Sequence, residues 1–180
     1  MIKINDILNA ETNSVNASLK THYFKDITTY GVTELVEISE GNTKPCIYTG
    51  DGNYQYVQTD TDGLIIYHRI LGFDNDEDLD LGFGRNGLTT ETYSIKSVFY
   101  GQQIAIEKDC EDISYYLAKE FKKLIPRTLD LNDINRISVS GINYDKNSIK
   151  EEEGLVVVPS SILFSLDLSI VIKSTENCNL

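Results

Sequence analysis

The chain has 180 residues, a hydrophobic fraction of 41% and a net charge of −12, which suits one domain with a modest core. With 28 acidic side chains against 16 basic ones, it lacks the clustered Lys and Arg that binding to nucleic-acid phosphates requires. The acidity fits a basic partner, a surface that must not hold DNA, or plain solubility. Cys46, Cys110 and Cys178 stand at unrelated spacings, so neither a CxxC pair nor a disulfide framework is expected, and a reducing cytoplasm is the simplest setting. Met1-Ile-Lys-Ile runs straight into Asn5 and Asp6, without the apolar segment of a signal peptide. No apolar run nears the ~20 residues of a membrane helix, so a soluble protein with no membrane partner is expected.

Along the chain, Ile4, Ile7, Leu8, Val15 and Leu19 fall at helical spacing, broken over residues 11–14 by ETNS. One interrupted helix, two short ones or a partly ordered arm would fit. Residues 32–38 (VTELVEI) read as a strand, 40–45 as a turn, and 46–49 as a short strand entered through Pro45. Residues 54–58 and 64–71 read as two strands of a hairpin closed by Asp62-Gly63. Asp74, Asp76, Glu77, Asp78 and Asp80 crowd residues 73–87, so this stretch reads as an acidic loop. Residues 89–100 (TTETYSIKSVFY) alternate as a strand does.

A long helix is expected over residues 109–124. Ile113, Tyr116, Leu117, Phe121 and Leu124 form its apolar stripe, and Pro126 ends it. Residues 134–144 read as a strand with a bulge at Gly141, and 145–154 (DKNSIKEEEG) as a second acidic loop. Over residues 161–174, Ile162, Phe164, Leu166, Leu168, Ile170 and Ile172 occupy every second position, so a long strand presents one uninterrupted apolar face. Such a strand needs long partners, while its mixed opposite face suits water or a neighbouring subunit. Together these elements describe a single soluble α+β domain over residues 1–180.

No catalytic constellation can be assembled. The chain has two histidines, His22 and His68, and no GxSxG, P-loop or HExxH motif. Gly82-Phe-Gly84-Arg-Asn-Gly87 spells GxGxxG but precedes strand-like residues where a dinucleotide fingerprint needs a helix. Asp74, Asp76 and Asp78 have the first three ligand spacings of an EF-hand. Leu79 stands where Gly is required, however, and Arg85 where the bidentate Glu belongs. No metal, no cofactor and no enzymatic activity are expected.

The second half has an order: strand (TYSIKSVFY), helix (CEDISYYLAKEFKKL), strand (ISVSGINYD), acidic loop (KEEEG), long strand (SSILFSLDLSIVIKS). This series resembles the tail terminator and head-tail connector (neck ring) proteins of long-tailed phages. The parts that carry the likeness are Gly141 to Asp145, Glu151 to Glu153, Ser160 to Ile172 and the Pro-led segment Lys44 to Gly50. A longer middle, Asn53 to Asn86, sets the chain apart from a compact terminator.

The resemblance implies an α+β fold, with helices packed on one face of a mixed, mostly antiparallel sheet that ends in the long C-terminal strand. It implies a non-catalytic virion protein of the tail or neck, made in the host cytoplasm. Such a protein forms a ring, usually a hexamer, that meets the tail tube and the neck proteins. Asp74, Asp76, Asp78 and Asp80, with Glu151, Glu152 and Glu153, would then lie on acidic loops facing the lumen or a neighbouring subunit, where like charge repels passing DNA. The rival reading is a small acidic module that sequesters a basic protein partner.

Overall fold

The longest strands set the architecture. The computed structural model describes residues 26–58, 63–78, 88–102, 134–157 and 161–175. In chain order these form β1 (Ile27–Val32), β2 (Glu34–Ser39), β3 (Asn42–Gly50), β4 (Asn53–Tyr56), β5 (Leu64–Asp78), β6 (Leu88–Gln102), β7 (Ile134–Asn143), α1 (Lys146–Glu153) and β8 (Ser161–Thr175). The expected long strand is β8, and its long partner is β6. The two pair antiparallel from Leu88↔Thr175 to Gln102↔Ser161 without a break. They sit inside a five-stranded sheet of order β1-β5-β6-β8-β7, and a second sheet has the order β2-β3-β4. Only β1 runs parallel to its neighbour in the larger sheet.

The apolar face of β8 is buried from Ile162 to Ile172, together with Ile66, Ile95 and Phe99 from the same side of β5 and β6. Phe99 and Phe164 stack there with ring centroids 4.6 Å apart. The opposite face is not simply open to water or a subunit. Its first half is core, where Ile65, Tyr67, Val98, Tyr100 and Leu163 pack against Ile149 of α1 and Leu155 just beyond it. Only the second half is partly open, at Asp167, Ser169 and Val171.

Strands make up most of the described residues, with a single short helix among them. The expectation of an α+β fold with helices packed on a sheet face is therefore corrected to a mostly-β architecture of two sheets. The helix expected over residues 109–124, the N-terminal elements, Asp80 and the GxGxxG run lie outside the described residues.

Two acidic loops are also corrected. Residues 73–78 continue β5, paired with the Thr-rich start of β6 from Phe73↔Tyr93 to Asp78↔Leu88. Positions two apart along a strand are separated by about 7 Å, a spacing at which the acidic run does not prevent an extended backbone. Extended pairing also leaves no EF-hand turn at these positions. The second loop is α1. Asp145 caps it, its side chain accepting from the backbone N–H groups of Asn147 and Ser148 at 3.0 and 3.3 Å. Gly154 ends it at φ +61°, in the left-handed conformation.

The expected hairpin between residues 54–58 and 64–71 does not form. β4 pairs with β3, and β5 with β6 and β1. Pro45 lies within β3, not at its entry. A residue's N–H and C=O point to the same side of a strand, and the Pro45 carbonyl accepts from Val57 N at 3.0 Å. Its missing N–H therefore takes nothing from the ladder with β2. The bulge expected at Gly141 is present as a register shift between Val139 and Gly141.

Candidate functional site

Three features of the described surface and interior bear on function. The first is a charge network that fastens α1 to the large sheet. Arg69 on β5 and Lys96 on β6 are register partners on the face that α1 covers. Glu153, wholly buried, accepts from Arg69 Nη1 at 2.5 Å and from the Tyr67 hydroxyl at 3.2 Å. Glu152, half exposed, pairs with Lys96 Nζ.

Burial pushes the Glu153 carboxyl above its usual range, and the neighbouring Arg69 pulls it back. Tyr67 is pushed up by burial and by the adjacent carboxylate. On the opposite face His68 is buried, its Nδ1 2.8 Å from Ser97 Oγ, and burial lowers its pKa to about 4. These polar groups are packed against helix and sheet, and their chemistry is that of attachment.

The second feature is an open edge. β1 accompanies β5 only between Leu64 and His68. From Arg69 onward, among the described residues, β5 has a neighbour on one side alone. A register shift between Ile70 and Gly72 leaves Leu71 as an extra residue. Around it three apolar side chains face solvent: Ile70 (39% exposed), Leu71 (49%) and Phe73 (55%). Phe73 meets Tyr93 of β6 with ring centroids 4.9 Å apart, and Asp74 follows, exposed.

The third feature is the small sheet. Tyr48, Tyr54 and Tyr56 are exposed on one of its faces. Tyr48 and Tyr54 contact each other at 5.4 Å, and Lys44 Nζ lies 6.0 Å from the Tyr56 ring. An open groove of 460 Å³ runs between the Thr29–Val32 part of β1 and Ile47 and Tyr48 of β3.

The sequence-predicted acidic set is thus divided. Asp74 is exposed on β5, and Asp76 and Asp78 hold later register positions on the same strand. Glu151 is exposed on α1, whereas Glu152 and Glu153 are drawn into the network. Glu153 is therefore corrected from a loop carboxylate facing a lumen to an interior one. Sequence reasoning missed Arg69 and Lys96. The available signal was a single Arg or Lys set among apolar neighbours in the middle of each strand, Arg69 between Tyr67 and Ile70 and Lys96 between Ile95 and Val98, which calls for a partner. Among the described residues, no three His, Cys, Asp or Glu side chains converge as metal ligands do. No protein-family model matches the chain, and no curated protein matches it.

Proposed function

We propose that this chain is a non-catalytic assembly protein, a ring-forming adaptor of a phage tail or neck that acts through contacts between its own copies and with tail-tube and connector proteins. The observation that carries the assembly reading is the open half of β5. A long strand edge with Ile70, Leu71 and Phe73 in water is a template for strand pairing with another chain. The tail or neck setting rests on the residue series that resembles the tail terminator and connector proteins.

The small sheet favours one rival. Its exposed tyrosines share a face with Glu34, and Glu40 and Asp51 are exposed in its turns, with Lys44 as the one cation in residues 26–58. A basic partner would find both carboxylates and aromatic faces there.

Native mass measured across protein concentration, with negative-stain imaging, tests the choice. Closed rings with a central hole are the expected result, with a hexamer as the working stoichiometry. A monomer at every concentration, joined to a salt-sensitive complex with basic proteins, would replace the adaptor with the acidic binding module.

A further inference from the structure

The paired registers of the large sheet can be followed from one open edge to the other. Ile70 pairs with Ile95, Ile95 with Leu168, and Leu168 with Val139. The next rows read Phe73, Tyr93, Ile170, Ile137 and then Asp74, Thr92, Val171, Arg136. The Arg69–Asn75 part of the open half of β5 therefore stands at the same height as β7, which is the terminal strand on the opposite side among the described residues.

Each of the three pairings between β5 and β7 is antiparallel, so the two edge strands run in opposite directions. A second copy in the same orientation can then set its β7 beside the first copy's β5 as an ordinary antiparallel neighbour. At equal height the rows continue in kind. Val139 arrives beside Ile70, the register position of Ile137 beside Phe73, and that of Arg136 beside Asp74. Apolar residues meet apolar ones, and the acidic row meets a cation. At this height Ile134 to Gly141 lies level with Arg69 to Asn75, while Ile142 and Asn143 fall level with His68 and Tyr67, where β1 ends, so the strand contact spans Ile134 to Gly141.

We infer that Ile134 to Gly141 of β7 in one copy adds to Arg69–Asn75 of β5 in the next, so that the large sheets of successive copies join into one continuous wall. This rests on the ring-forming reading and names its interface. The contact is head-to-tail, joining two different edges, so repetition closes a ring where the rotation allows it. The extra residue Leu71 and the run Asp74, Asp76, Asp78 narrow the choice of strand. A flat neutral edge would accept any partner, whereas this one favours a strand with a cation at the Asp74 row.

Paired cysteines test the interface, because Phe73 and Ile137 would be directly opposed between copies and within disulfide reach. Oxidation of the F73C/I137C chain is expected to give a ladder of covalent multimers. A mixture of F73C with I137C chains should stop at dimers. Reversing one charge, Asp74→Arg, should weaken association roughly fivefold, and adding Arg136→Asp should restore it. Rings in native mass with the ladder and the rescue support the inference. Rings that yield no ladder overturn the β5–β7 interface while leaving the ring-forming reading in place. Monomers at every concentration overturn both.

Discussion

Arg69 and Lys96 stand directly opposite each other on neighbouring strands, like charge against like charge, and each is answered by a different glutamate of the same helix. The pair would repel if left alone. With Glu153 and Glu152 above them it becomes a socket that fixes the position of α1 on the sheet.

The two glutamates differ sharply in exposure, 0% for the Glu153 side chain and 41% for Glu152. Removing one partner of a buried pair costs about 3–5 kcal/mol, whereas exposed pairs contribute about 0–1 kcal/mol. Glu153→Ala should therefore destabilise the protein by several kcal/mol in urea denaturation, and Glu152→Ala by little. Equal losses would show that burial does not set the strength of this attachment.

His68 makes stability depend on pH in a defined direction. Its pKa is about 4 when folded against about 6.5 for a free histidine, so between these values the unfolded chain binds more protons. Its contribution is complete above pH 6.5 and is lost as pH falls toward 4, a change of about 3 kcal/mol. Glu153, with its pKa raised by burial, works in the opposite sense, contributing most at low pH and less as pH rises. Denaturation midpoints for His68→Asn should show a flatter profile between pH 6.5 and 4 than the parent protein. An unchanged slope would place the dependence elsewhere.

Gly154 and Gly41 form a natural comparison. Both have positive φ, +61° and +75°, but a Cβ at Gly154 would lie 1.8 Å from the Thr43 carbonyl oxygen, while nothing comes within 4 Å at Gly41. Gly41→Ala should cost only the left-handed penalty of about 1–2 kcal/mol. Gly154→Ala should cost more, because the joint between α1 and β3 must open. Thermal unfolding of the two variants checks the order.

Ser165 is buried within β8, and among the described residues its Oγ has no hydrogen-bond partner. An unsatisfied buried hydroxyl costs about 1–3 kcal/mol. Ser165→Ala is therefore expected to raise the unfolding midpoint. A fall would mean that the hydroxyl is satisfied in solution.

The parts of this fold written in local periodicity were legible. The alternation of Ile162 to Ile172 marks β8, Thr89 to Tyr100 marks most of β6, and Gly141 marks the bulge. The short helix was not legible, because Ile149 is its one apolar residue and the rest are polar or charged. Its signals were the bracketing Asp145 and Gly154, which also suit a loop. The network was hidden for a different reason. Glu153 lies 84 residues from Arg69, and Lys96 lies 56 from Glu152, so only the assembled sheet brings them together. At β4 the competition was between two local turns: Asp62-Gly63 suggested a hairpin onward to β5, but the strand turns back on β3 through Asp51 and Gly52, in the other sheet.

The extra residue at Leu71 resets the odd-even count along β5. Before it Ile70 shares a row with Ile95, and after it Phe73 shares one with Tyr93. A one-codon deletion of Leu71 would restore regular alternation and leave Gly72 on Ser94, Phe73 on Tyr93 and Asp74 on Thr92, each on its present side of the sheet. A one-residue insertion after Gly72 would instead turn Phe73 and Asp74 over together. This stretch should therefore tolerate the loss of Leu71 far better than the gain of a residue beside it.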